Sequence, residues 1–262
     1  MKRLLFIASV VLCTIVVGCT DNVLHNKEAQ DRVIVALSAE EQLEEKLAWD
    51  YPVRYGAPGW DALKTVEEKF NAYNIPDAIM NSISTEELVK ICMNYPQWGL
   101  MHAYNDRRSG LSVLISLFNG FQELFKREDS AVELLKMYEQ LDPLAVDPTW
   151  IPLQQGTYSA KFEKIEMFLS ARSMIEKLNK EEIQHLKEVA ISKYQKKKEL
   201  PGIYSLWDLS PTVAICVKII EKENSELLNA NRDEINFFIF SMMSENIQFL
   251  DGVVELLKTS AL

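Results

Sequence analysis

Apolar residues recur at offsets of three and four along most of this 262-residue chain. That spacing puts them on one face of an α-helix. Leu111, Leu114, Ile115, Phe118, Phe121 and Phe125 form one stripe. Phe162, Ile165, Leu169 and Leu178 share a broad face, and Ile183, Leu186, Ala190 and Tyr194 share another. Ile235, Phe238, Ile239 and Met242, then Ile247, Leu250, Val254 and Leu257, carry the pattern towards the C-terminus. Segments near 212–222 and 233–244 are apolar on more than one face, which predicts central helices. Period-2 alternation bounded by hairpin turns is absent. The expected fold class is all-α, with about ten helices in an irregular bundle or a short helical array.

Capping signals agree with this reading. Ser38 with Glu41 and Ser84 with Glu87 have capping-box spacing, and Ile83 and Leu88 flank the second as a hydrophobic staple. Asn179 with Glu182 is a third box. Ser210 followed by Pro211 predicts a cap and a first-turn proline. Loops bearing Pro and Gly are expected at 51–59, 142–156 and 200–210. The middle loop, with Pro143, Pro148 and Pro152, marks a candidate division of the domain into two halves near 142–157. No sequence period is convincing enough to define repeats.

The N-terminus has a different pattern. Lys2 and Arg3 precede an apolar run from Leu4 to Val17, which ends in Gly18-Cys19. A basic start, a short apolar run and a small residue at the cleavage point describe an export signal. The run is shorter than the roughly 20 residues that span a bilayer, which disfavours an uncleaved anchor. Cys after Gly18 looks like a bacterial lipobox, with lipidation of Cys19 and cleavage before it. The alternative is an ordinary secretory signal with an incidental Cys19. The expected organisation is a signal peptide over 1–18, a lipidated Cys19 and tether over 19–37, and an all-α domain over 38–262. As a flexible coil, residues 20–37 span roughly 23 Å. A lipidated Cys19 implies attachment to the outer membrane of a cell envelope. Thr20 and the single Asp21 make a poor acidic surface-export signal, which favours the periplasmic face.

Charge narrows the partners. Lys and Arg number 28 against 38 Asp and Glu, a formal net charge of −10, and losing Lys2 and Arg3 with the signal leaves about −12. Such a surface repels phosphate backbones, and no basic stripe with interleaved aromatics offsets it. Nucleic acid is excluded as an expected partner. Of four cysteines, Cys13 leaves with the signal and Cys19 is consumed by lipid. Cys92 and Cys216 remain on apolar faces, so two buried thiols are expected, with a disulfide as the alternative.

Two stretches carry a family resemblance. One runs from Ser84-Thr85-Glu86-Glu87-Leu88-Val89 through Cys92-Met93-Asn94-Tyr95-Pro96 to Ala103-Tyr104-Asn105. The other is Phe118-Asn119-Gly120-Phe121-Gln122-Glu123-Leu124-Phe125. Together they resemble a group of Bacteroidetes lipoproteins and secreted proteins of unassigned function. The resemblance covers residues 65–140, implies an envelope location and a helical fold, and brings no catalytic residues. The same residues also read structurally. Leu88, Ile91, Cys92 and Tyr95 make a core face, Pro96 stops the helix, and Asn105 or Asp106 caps the next.

Candidate chemistry is sparse. His25 lies in the tether and His185 on a charged helix. His102 stands four residues before Asp106, with Arg107 and Arg108 adjacent and Trp98 one turn earlier. This spacing would let His102 share a proton with Asp106. The competing reading is a helix junction with an Asp cap and two solvated arginines. HExxH, CxxC, Walker-type glycine loops and GxSxG elbows are missing. No cofactor or metal is expected. Lys196-Lys197-Lys198 ends a predicted helix, where cations complement the dipole. Trp150, Tyr204 and Trp207 fall in loops, where aromatics stack on ligands or plug loops onto a core. Phe237, Phe238 and Phe240 read as core. These features favour a lipid-anchored envelope module that binds a protein or glycan and has no recognisable catalytic centre. The alternative is an enzyme of an undescribed helical type, centred on His102, Asp106 and Arg107.

Overall fold

Local capping rules set where most helices begin. A computed structural model of the chain describes residues 47–147 and 149–260. The expected signal peptide, Cys19 lipidation site and tether, with His25, and the expected Ser38 capping box therefore lie outside the described residues. Those described hold twelve α-helices and no strand, so the fold is all-α. The first three are α1 (Val66–Asn71), α2 (Asp77–Met80) and α3 (Thr85–Met93). Next come α4 (Arg107–Leu117), α5 (Asn119–Lys126) and α6 (Ser130–Gln140). Then follow α7 (Pro152–Leu169), α8 (Arg172–Lys177) and α9 (Lys180–Glu199). The last are α10 (Leu206–Asn224), α11 (Arg232–Ser241) and α12 (Ile247–Thr259).

Asn179 and Glu182 form the expected reciprocal box at α9. At α3, Ser84 Oγ accepts the Glu87 amide at 3.1 Å, but the Glu87 carboxylate accepts from the Ala48 amide instead of returning to Ser84. The Ser210–Pro211 cap is wrong by one turn. Ser205 caps α10, its amide and hydroxyl both donating to the Asp208 carboxylate at 2.9 and 2.7 Å. Pro211 therefore lies inside the helix. There it leaves one carbonyl without its intrahelical donor. The stripe from Leu111 to Phe125 is shared by two helices. Phe118 is extended between them (φ −128°, ψ 118°), and Asn119 bonds both the amide and the carbonyl of Ile75.

Residues Leu47–Leu262 form one compact unit. Helices α6 and α7, on either side of the 142–151 segment, pack on each other. The expected loop is also shorter, because α7 already begins at Pro152 and runs through Gly156. One end of the core is aromatic. Tyr95 stacks on Phe118 with ring centroids 4.5 Å apart, and Tyr51, Tyr73, Phe121, Trp98 and Phe168 continue the cluster through edge-to-face and tilted contacts. The other end is built on α10, which packs against α7, α9 and α12 and buries every residue from Leu209 to Val217. The prediction of a central helix near 212–222 therefore holds. The companion prediction for 233–244 does not. Helix α11 is peripheral: Ile235 and Phe238 face inward, whereas Phe237 and Phe240 are 65% and 63% exposed. Cys92 and Cys216 are both buried free thiols, not a disulfide.

Candidate functional site

The predicted His102 region is a real convergence of side chains, but with a different partner. Helix α4 packs on a short 3-10 helix, Trp98–Ala103, that carries His102. Gly110 makes this approach possible, since a Cβ there would stand 2.2 Å from the Met101 carbonyl oxygen. The contact turns Arg107 inward to 5% exposure. Its Nε donates to Glu163 Oε1 on α7 at 2.7 Å, and its Nη1 donates to the Met242 carbonyl at 3.2 Å. The same guanidinium lies 5.1 Å from the centre of the Trp207 ring. His102 Nε2 is 3.4 Å from the other Glu163 oxygen.

Asp106 takes no part in this cluster. Its carboxylate caps α4, accepting from the amide and hydroxyl of Ser109 at 2.7 and 2.8 Å. The expected His102–Asp106 proton pair is therefore replaced by His102–Glu163. A cap pins Asp106 to its own first turn, while α7 supplies a carboxylate from across the fold. Nor are both arginines solvated: Arg107 is buried and Arg108 is exposed. Glu163 holds the His102 imidazolium, raising its pKa above the ordinary value. For Glu163, burial pushes upward, but His102 and Arg107 together leave its carboxyl below the usual range. Both oxygens of Glu163 are thus engaged by cations, an arrangement that pins three elements together. Next to it on α7, Lys164 donates to the Met93 carbonyl at 2.9 Å, and burial followed by repulsion from Lys161 lowers its pKa to about 8.

The three aromatics expected in loops separate, and Trp207 is not in a loop at all but in the first turn of α10, because Ser205 caps that helix ahead of it. Tyr204 is buried and donates to the Pro143 carbonyl at 3.0 Å. Trp150 meets the Tyr158 ring edge to face at 5.6 Å. Both plug loops onto the core. Trp207 is half exposed and backs Arg107.

Sequence reasoning missed two features. The first is a polar network inside the core. The lysine run does not simply cap α9. Lys196 reaches Asp142 at 3.0 Å and Lys198 reaches Asp251 at 2.5 Å. Lys197 points inward and is paired with Glu166 at 2.8 Å, with exposures of 1% and 0%. Tyr138 and Thr212 hydroxyls each donate to Glu166 at 2.7 Å, and Lys197 also donates to the Asp208 carbonyl and to Thr212 Oγ1 at 3.0 Å. Every donor and acceptor is used. The available signal was Glu166 itself, which stands four residues after Phe162 and three before Leu169, on the core stripe.

The second is a cavity of about 420 Å3 between α4, α8, α10 and the inner face of α11. Leu111, Ile115, Phe125, Met167, Val217 and Phe238 provide its apolar walls. Arg108, Ser112 and Ile239 also line an adjoining open cleft of about 600 Å3 between α4 and α11, so they stand where the two meet. A smaller cleft of about 50 Å3 lies where α11 meets the stretch Ser225–Asn231. With Phe237 and Phe240 outside, α11 has too few inward side chains to fill the space beneath it.

Among the described residues, no cluster of three His, Cys, Asp or Glu could hold a metal ion, and no helix is long and apolar enough to cross a membrane. No protein-family model matches the chain, and neither does any curated protein or solved structure.

Proposed function

We propose that this chain is a non-catalytic binding module of the cell envelope, anchored by acylation of Cys19, with its ligand site in the cavity beside α11. The cavity carries the proposal. Its volume falls within the roughly 300–1,000 Å3 usual for small-molecule sites, and apolar walls with a few polar groups at the mouth are what such sites use. Those walls suit an apolar group of an envelope component better than a glycan. The lipobox spacing around Cys19 supports the anchor, and the lone Asp21 supports the periplasmic face of the outer membrane.

The enzyme reading is weaker on its own residues. Asp106 is spent on a helix cap, and a general base needs a lone pair within reach of substrate. Glu163 is a poor base, because Arg107 and His102 each engage one of its oxygens and hold its carboxyl below the usual range. Two measurements test the proposal. Fatty-acid analogue labelling of cells should mark the wild type and not Cys19→Ala; equal labelling removes the anchor. The chain from residue 20 onward should retain an apolar compound from envelope extracts, and Ile115→Trp, which fills the cavity, should lose it. Retention by both proteins moves the site elsewhere.

A further inference from the structure

We infer that the cavity beside α11 receives the chain of an amphipathic monoanion, an acyl carboxylate, whose head group is bound by Arg108. The inference rests on the binding reading above and names the ligand class for that site.

The charged groups lining the cavity are Arg108, Arg172, Lys218 and Glu176. Arg172 is paired with Glu176 at 2.8 Å, and Lys218 with Glu221 at 2.6 Å. Arg108 differs. Its Nη1 donates to the Ile239 carbonyl at 3.0 Å, and among the described residues it has no carboxylate partner. The nearest candidate in sequence, Asp106, is held by Ser109. A guanidinium has five N–H donors in a planar fork that matches a carboxylate. One carbonyl leaves most of them available.

Position matters as much as charge. Arg108 lines both the half-open cavity and the more open cleft beside it, so its head stands where the two meet while the apolar walls lie to one side. A ligand with a charged end and an apolar tail satisfies both regions at once. An apolar tail in the cavity leaves the water it would otherwise order, which is the larger contribution. The carboxylate at Arg108 then fixes orientation. Asp106 also lines the open cleft, but Ser109 donates to both of its oxygens, so a cationic amphiphile would meet Arg108 at the entrance and only an already bonded carboxylate beside it. A neutral alcohol would gain the tail contribution and lose the charge-assisted bonds.

The test uses the chain from residue 20 onward, which contains the whole unit Leu47–Leu262. Binding of decanoate, decanol, decyltrimethylammonium and decyl phosphate is measured by titration calorimetry below their aggregation concentrations. Decanoate should bind once per chain, about tenfold or more tighter than decanol or the cation. Arg108→Ala, an exposed site whose loss should leave the melting temperature in place, should weaken decanoate about tenfold and leave decanol unchanged. Ile115→Trp should weaken all of them. If decanol or the cation binds as tightly as decanoate, or Arg108→Ala changes nothing, the anion assignment fails while the cavity remains a binding site. If decyl phosphate binds more than tenfold tighter than decanoate, the head group is a phosphate and the carboxylate assignment fails. If none of the four binds, the cavity reading falls together with the inference.

Discussion

Glu166 and Lys197 meet at the centre of the helical domain with both carboxylate oxygens 2.8 Å from the ammonium and neither side chain in contact with solvent. A buried ion pair loses its hydration on both sides and is stable only when its remaining hydrogen-bonding capacity is filled. Here Tyr138, Thr212 and the Asp208 carbonyl fill it, which joins α6, α7, α9 and α10 through one polar point.

Removing one partner should therefore cost more than removing both. Lys197→Met leaves a carboxylate in the core and should destabilise by about 3–5 kcal/mol. The double variant Glu166→Leu/Lys197→Met should be more stable than Lys197→Met alone. Urea unfolding of the wild type, Glu166→Leu, Lys197→Met and the double variant measures this. A double variant as unstable as the sum of its singles would contradict the account.

Two glycines in helices should respond oppositely to alanine. Helix propensity alone favours Ala by about 1 kcal/mol at both Gly110 and Gly156. Gly156 faces open space, so Gly156→Ala should gain about 0.5–1 kcal/mol. At Gly110 the new Cβ would meet the Met101 backbone at 2.2 Å, which cannot rotate away. Gly110→Ala should lose about 2–3 kcal/mol and loosen the Arg107–Glu163 contact. A stabilised Gly110→Ala protein would mean that the α4 contact is not as described.

The His102–Glu163 pair predicts a pH window. His102 is raised above its ordinary 6.5, so its contribution is full below about pH 6.5 and is lost as pH rises through the raised value. Glu163 is lowered below its ordinary 4.5, so its contribution is present above about pH 4.5 and is lost as pH falls through the lowered value. His102→Ala should consequently cost more stability at pH 5.5 than at pH 8.5. Denaturant titrations at the two values decide it, and the opposite order would show that Glu163 does not hold the imidazolium.

Lys164 acts in the other direction. Its pKa falls to about 8 from the ordinary 10.5. The unfolded chain then binds more protons between those values, so this residue makes stability rise with pH there. Lys164→Met should gain on the wild type at pH 7, and the gain should shrink by pH 9.5. A gain independent of pH would assign the effect to packing alone.

The thiols give a simple check. Burial raises both, Cys216 to about 12 and Cys92 well above its usual range. A thiol reagent at pH 8 should leave Cys92 and Cys216 untouched in the folded protein and modify both in denaturant without reductant. Modification only after reduction would establish a disulfide.

Helix existence was legible wherever period and cap agreed, as at Asn179 and along Phe162, Ile165 and Leu169. Boundaries slipped where a competing local rule won. Ser205 with Asp208 displaced Ser210 as the α10 cap, and Phe118 broke a continuous stripe because Asn119 is tied to Ile75. Phe237 and Phe240 misled because apolarity was taken as burial, whereas single exposed aromatics are common. The His102 region was found from residue type, but its true partner lies 61 positions away on another helix, and no local spacing encodes such a pairing. The cavity was invisible for the same reason, since it is space left between helices far apart in the chain.

Three consecutive lysines near the end of α9 reach in three directions: Lys196 to the 142 loop, Lys197 into the core, Lys198 to α12. Successive residues of a helix diverge by about 100°. The triplet therefore works as a rotational key for α9. Inserting one residue just before Lys196 would swing Lys196 away from Asp142 and into the core, and turn Lys197 out of the core towards Asp251. Composition, charge and helix propensity would scarcely change. The phase of that helix, more than its content, is what the lysine run records.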